Sequence, residues 1–239
     1  MNKVKIISLT ASMVFAAMFA FSCSDENGGS GYSGTYGSVV YRGQTYKTVR
    51  IGKQVWFAEN LNYDPGTGNS VCYDNRASNC ATYGRLYDWA TAMGFASSCN
   101  SNSCSVQPKH KGICPSGWHI PSDAEWSVLE MAVGDISTAG AKLKATRFGK
   151  NDRSGTDEYG FSALPGGFGY SDVSFKGVGG IGHWWSASES ESNSDDADSR
   201  GMYYYSGYAY GREMISGSDI VYWVYHHKSD LRSVRCVQD

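Results

Sequence analysis

Three groups of residues in this 239-residue chain have chemistry to offer. The first is the run 188–198, where Glu189, Glu191, Asp195, Asp196 and Asp198 are interspersed with serine hydroxyls and one asparagine amide. Calcium takes roughly six to eight oxygen ligands, which such a run could supply. Its spacing matches no EF-hand, and a solvated acidic loop is the plainer reading. The second group is aromatic: Trp184, Trp185, Tyr203, Tyr204, Tyr205, Tyr208, Tyr210, Tyr222 and Trp223. Exposed rings stack on sugar faces or anchor protein interfaces. Trp184, Trp185, Tyr203, Tyr205, Tyr208 and Tyr210 are therefore candidate ligand contacts, and rings on the opposite strand face pack a core instead. The third group is His110, His119, His183, His226 and His227. No Gly-x-Ser-x-Gly elbow accompanies them, and adjacent His226 and His227 face opposite ways in a strand.

Composition removes other chemistries. Charged residues are 18% of the chain and the formal net charge is −2, so no basic stripe exists to displace counterions from a nucleic acid. The glycines are plentiful, 29 in all, yet none forms a Gly-x4-Gly-Lys-Ser/Thr phosphate cradle or a strand–Gly-x-Gly-x-x-Gly–helix unit. With 41% hydrophobic and 14% aromatic content, the chain is long enough for one sizeable core.

The N-terminal stretch and the cysteines set the expected location of the chain. Lys3 and Lys5 precede an apolar run from Ile6 to Phe21, shorter than the ~20 residues of a spanning helix. The run closes on Ala20-Phe-Ser-Cys23. Residues 1–22 thus resemble a bacterial lipoprotein signal peptide, with Cys23 the lipidated residue and the membrane a partner through that lipid. The alternative is an ordinary signal peptide with a free Cys23. Residues 23–37, rich in Gly and Ser, read as a flexible tether, and Ser24-Asp25-Glu26 resembles the surface-export signals of some lipoproteins. Removing Cys23 leaves six cysteines, Cys72, Cys80, Cys99, Cys104, Cys114 and Cys236. An even count in an exported chain reads as disulfides, and the spacings do not suit zinc.

The elements that must hold these residues are organised around Cys114-Pro-Ser-Gly-Trp-His-Ile-Pro-Ser-Asp-Ala-Glu-Trp-Ser-Val-Leu129. Ser122 and Glu125 make a capping box. Asp123 and Glu125 suit the helix dipole, and Trp126, Leu129 and Val133 share one face until Gly134 ends the helix. A second helix is expected over Arg85–Met93, from Leu86, Trp89, Ala90 and Met93, with a further helical turn or two over Ala139–Ala145. Residues 38–61 read as hairpin strands, with turns at Gly43 and Gly52-Lys53. The ten glycines between 149 and 183 read as loops and bulges of a convoluted antiparallel sheet. Trp184-Trp185, 202–210, 220–226 and 233–237 read as strands, with one of the two tryptophans pointing inward and the other outward.

The organising stretch resembles the signature of the Fibrobacter succinogenes major paralogous domain family. Ile51-Gly-Lys-Gln-Val-Trp-Phe-Ala-Glu-Asn-Leu-Asn-Tyr-Asp64, Tyr83-Gly-Arg-Leu-Tyr-Asp-Trp-Ala-Thr-Ala-Met93 and Tyr159-Gly-Phe-Ser-Ala-Leu-Pro-Gly-Gly-Phe-Gly-Tyr170 follow the same likeness. Trp184-Trp-Ser-Ala-Ser-Glu189 and Ser233-Val-Arg-Cys-Val237 complete it. The resemblance implies a single α+β domain over 38–239 with a C-type-lectin-like fold: two main helices packed on convoluted antiparallel sheets, stapled by disulfides. Spacing and family likeness together pair Cys72 with Cys80 and Cys99 with Cys104, which leaves Cys114 with Cys236. The resemblance also implies kinship with formylglycine-generating enzymes, whose C-terminal cysteine pair has no counterpart between residues 186 and 235. The calcium-holding Glu-Pro-Asn and Trp-Asn-Asp triplets of C-type lectins are absent too, so no cofactor is expected and Ca2+ rests on the acidic run alone.

The expected function is a lipid-anchored binding or adhesion module of the outer membrane or cell surface, with polysaccharide or a surface protein as partner and no catalysis. A structural envelope scaffold with variable display loops is the alternative, and a formylglycine-generating-enzyme-like enzyme a more distant one.

Overall fold

In a computed structural model, residues 36–149, 155–190 and 207–239 are described, all within one unit, Tyr32–Asp239. Cys23, residues 1–35 with the expected signal peptide and most of the tether, Tyr203 and Tyr205 lie outside the described residues, as do Glu191, Asp195, Asp196 and Asp198.

The expected hairpins are three strands, β1 (Tyr36–Tyr41), β2 (Gln44–Ile51) and β3 (Gln54–Phe57), paired antiparallel. With β6 (Trp118–His119) and β12 (Val237–Gln238) they form a five-stranded sheet in the order β1-β2-β3-β12-β6. A second five-stranded sheet runs β11-β10-β9-β7-β8. Its members are β7 (Gly166–Gly169), β8 (Phe175–Val178), β9 (Ile181–Glu189), β10 (Tyr208–Ile215) and β11 (Val221–His227). A small pair, β4 (Ser70–Val71) with β5 (Leu86–Tyr87), completes the strands among the described residues. The second sheet is not wholly antiparallel, because β7 and β9 run parallel through Gly167 and Gly182. Both glycines are needed there. Gly167 holds φ +69°, and a Cβ on Gly182 would lie 2.7 Å from the Leu164 carbonyl oxygen, which only glycine tolerates.

Among the described residues α-helices are few: α1 (Ala77–Tyr83), α2 (Trp89–Met93), α3 (Asp123–Val133) and α4 (Ala139–Leu143). The capping box of α3 forms as its sequence specifies, with Ser122 and Glu125 exchanging hydrogen bonds. The helix expected over Arg85–Met93 is shorter than its apolar spacing suggests. Leu86–Tyr87 is a strand, and Asp88 starts the helix by accepting from Thr91 N at 2.7 Å. The cause is a local competitor: the N-cap carboxylate fixes the first turn, while the Tyr87 backbone is claimed by Arg232 in both directions.

Trp184 and Trp185 are both buried, which corrects the expected inward–outward split. Each sheet has a core on either face. Trp56, Trp126 and Trp184 pack one core with Val49, Leu129 and Met214. Phe57, Trp89 and Trp185 pack the other with Tyr46, Ile120 and Cys236. Neither indole is available to a ligand: Trp184 Nε1 donates to Asn60 Oδ1 at 2.8 Å and Trp185 Nε1 to the Tyr87 carbonyl at 2.8 Å.

The three disulfides are Cys72–Cys80, Cys99–Cys104 and Cys114–Cys236. The last spans 122 residues and ties the organising stretch to the strand that closes the first sheet. His119 reinforces the same junction, with Nε2 2.8 Å from Glu125 and Nδ1 2.7 Å from Asp239. By the chain-entropy model, replacing Cys114 with Ser costs about 5 kcal/mol. Guanidinium unfolding under non-reducing conditions checks this, and a Cys114→Ser protein as stable as the parent would show that packing alone holds the closure.

Candidate functional site

The register of β10 and β11 builds one face from both sides of a hairpin. Tyr208 is opposite His227, Tyr210 opposite Tyr225, Arg212 opposite Trp223 and Met214 opposite Val221, so these eight side chains share a face. Helix α3 covers only one end of it. Met214 and Val221 are buried in the core beneath the helix, and Arg212 is buried beside them. Past the helix, four rings are half-buried and His227 is exposed.

These rings form a continuous row. Tyr210 and Trp223 stack with centroids 4.8 Å apart. Tyr208 meets Tyr225 edge-on at 5.7 Å and lies 4.0 Å from His227. The Tyr208 hydroxyl is 2.6 Å from His227 Nε2. Trp223 is held in place by the start of helix α3, since its Nε1 donates to Asp123 Oδ1 at 2.8 Å. Asp123 in turn sits 2.5 Å from Arg212 Nη1, and Arg212 Nε lies 2.5 Å from Glu130. Arg212 also donates to Ser127 Oγ and to the Asp123 carbonyl. Burial pushes the Glu130 carboxyl up, while Arg212 pulls it back towards the ionised form. The outcome is an aromatic platform whose largest ring is fixed by a buried ion network, so little rotamer freedom remains to be lost on stacking.

At the far end of the row, Tyr208 and His227 help line a polar hollow of about 430 Å3 with Asn100, Ser101, Gly207 and Ser229. A larger groove, about 630 Å3, lies beside Ser188 and Glu189 at the start of α3. Two carboxylates line it, but both are already committed. Glu125 serves His119 and Ser122. Burial opposes its ionisation, yet those hydrogen bonds hold its carboxyl down to about 2. Glu189 accepts from Ser103 Oγ at 2.5 Å, Cys104 N at 2.9 Å and Lys228 Nζ at 3.0 Å. Glu189 therefore secures the Cys99–Cys104 loop rather than standing ready for calcium. Among the described residues, no three His, Cys, Asp or Glu side chains converge as metal ligands.

Of the aromatic candidates, Tyr208 and Tyr210 are on the platform, and Trp184 and Trp185 are in the cores. Tyr225 was not singled out from the sequence, and His227 only as one of five histidines rather than as part of the aromatic face. The signal was present, because positions 223, 225 and 227 continue the period-2 spacing opposite 208 and 210 once the hairpin turn is placed at Gly217.

The fold and this surface define a disulfide-stapled α+β domain with an aromatic sheet face. The chain belongs to the Fibrobacter succinogenes major domain family, whose model matches residues 49–238. No curated protein and no solved structure matches it.

The ion network supporting Trp223 is open to a direct test. Arg212→Met leaves Glu130 buried without its counter-charge, and such breaks cost about 3–5 kcal/mol. In urea unfolding the single variant should lose that much, and Arg212→Met combined with Glu130→Leu should regain most of it. A single variant as stable as the parent would show that the network does not support the face.

Proposed function

We propose that this chain is a lipid-anchored binding module of the cell envelope, with a C-type-lectin-like fold, that takes neutral polysaccharide on the β10–β11 aromatic face. The observation behind this reading is the stacked Tyr210–Trp223 pair continuing into Tyr208 and Tyr225, half-buried and braced by Asp123 at the start of α3. Ring faces stack on the C–H faces of pyranoses, and the hydroxyl and imidazole at the Tyr208 end supply hydrogen-bonding groups for sugar hydroxyls. A net charge of −2 offers little to a polyanion. All six cysteines after Cys23 are in disulfides, so the thiol chemistry of formylglycine-generating enzymes is not part of the proposal.

Glycan arrays and affinity electrophoresis in neutral polysaccharides test the binding face. Tyr210→Ala and Trp223→Ala should each weaken a detected interaction by about 1–2 kcal/mol, with little dependence on salt. Full affinity in both folded variants would move the site elsewhere, and an array with no selective signal would favour a structural envelope scaffold.

The anchor is tested separately. A fatty-acid label supplied to cells should tag the parent chain and not Cys23→Ala. Equal labelling of the two, or none in either, would remove lipid attachment from the proposal.

A further inference from the structure

The reverse face of the same hairpin holds a cluster that the binding reading does not use. His226 points away from the platform, towards β9 and the segment before β12. Its ring lies 4.9 Å from that of His183 and 6.5 Å from that of Trp185. Arg232 fills the space beside them, its Cζ 4.8 Å over Phe168 and 5.7 Å over Trp185. Phe168 and His183 are themselves 4.7 Å apart. A buried guanidinium is thus enclosed by two aromatic rings and two imidazoles.

The hydrogen bonding of this box is incomplete. Arg232 Nη1 donates to the Gly169 and Leu231 carbonyls, and Nη2 lies 3.1 Å from Asp230. Arg232 Nε, His226 Nε2 and His183 Nδ1 are buried without a partner among the described residues. His183 Nε2 sits 2.6 Å from Glu213, without the alignment of a hydrogen bond. Neutral imidazoles tolerate this arrangement. A second cation at His226 does not, because it would face the charge of Arg232, whose own carboxylate partner is Asp230, while Glu213 lies against His183 rather than His226.

We propose that His226 is an acid-sensitive catch on β11, so that protonation frees this strand and dismantles the aromatic platform on its other face. The topology makes the step local. Among the described residues, β11 is the edge of its sheet and pairs only with β10. It carries Trp223, Tyr225 and His227, whereas Tyr208 and Tyr210 are on β10. Lifting β11 separates Tyr210 from Trp223 and Tyr208 from Tyr225, and any ligand stacked across both strands is released.

The sign follows from the surroundings. Burial, then the charge of Arg232, then His183 and His227 hold His226 down to about 2. His183 is also lowered, by burial first, with Glu213 opposing. Tyr170 completes the titratable groups facing Arg232. A histidine on a freed strand titrates near 6.5, so the open form binds the extra proton. One such proton raises the opening constant about tenfold for each pH unit below about 6.5. At pH 4.5 this amounts to about a hundredfold.

The ligand release rests on the proposed binding function, whereas the opening of β11 does not, and the two are measured apart. Amide hydrogen exchange on the chain alone, corrected for the intrinsic pH dependence of exchange, is followed from pH 7 to pH 4.5. The expected result is that Val221–His227 lose protection about a hundredfold while β2 and β3 do not. His226→Phe should flatten that slope. Constant protection of β11 in the parent chain overturns the proposal, as does an unchanged slope in His226→Phe. If that variant does not fold, NMR titration of the parent decides. A His226 imidazole that titrates near 6.5 with β11 still closed overturns the catch. Acid opening without any polysaccharide binding at pH 7 supports the catch and removes the binding function instead.

Discussion

Both five-stranded sheets and the small β4–β5 pair are fastened to one eight-residue segment, 231–238. Leu231 exchanges backbone hydrogen bonds with Gly169, and Arg232 does so with Tyr87. Ser233 bridges His183 and Trp185, while Val234 and Cys236 accept from Leu61 and Phe57. Val237 then pairs with both Trp56 and His119. The segment therefore supplies the backbone partners of both five-stranded sheets and of the small β4–β5 pair. Buried amides and carbonyls left unpaired are costly, so removing this segment would orphan groups in every layer at once. The Cys114–Cys236 bridge and the His119 contacts keep it in register.

The same segment explains why charge is buried here in quantity. Arg235 is fully enclosed, donating to Asn60, Phe57 and Ser162 and to the Phe161 carbonyl, with its guanidinium 4.1 Å over the Phe161 ring. Burial lowers it to about 9, so it is still a cation at neutral pH. Its direct partners are carbonyl oxygens and one amide, and the carboxylates Asp157 and Glu59 favour the cation without bonding to it. Asn60 uses both ends of its side chain, accepting from Trp184 and Arg235 and donating to Tyr83 and Ser233. Helix α3 follows a related logic. Its acidic residues Asp123 and Glu130 turn to Arg212, while Val128 (41% exposed) and Met131 (67% exposed) face solvent. The usual distribution of charge on a surface helix is partly inverted because the interior supplies the cation.

Much of this was legible from local signals. The α3 cap is fixed by Ser122 and Glu125 within four residues, and β1 to β3 follow from turn glycines between alternating apolar positions. The disulfide pairs followed from spacing together with family likeness. What local pattern could not show is burial on both faces. A strand between two cores loses the inward–outward alternation on which the reading of Trp184 and Trp185 depended. The Arg85–Met93 segment failed for a similar reason, because helical spacing in its apolar residues is also satisfied by a short strand followed by a capped turn. Tyr225 and His227 needed the hairpin register before they could be placed beside Tyr208 and Tyr210.

The 122-residue bridge between Cys114 and Cys236 also changes how the domain answers a mechanical pull. Under tension applied between Tyr36 and Asp239, the covalent path runs directly from one cysteine to the other. Everything between them is bypassed, about 430 Å of extended chain that cannot be drawn out while the cystine is intact. The first three strands can unravel and lengthen the molecule. The second sheet, with the aromatic row at 208–227, lies wholly within the bypassed loop and feels no direct load.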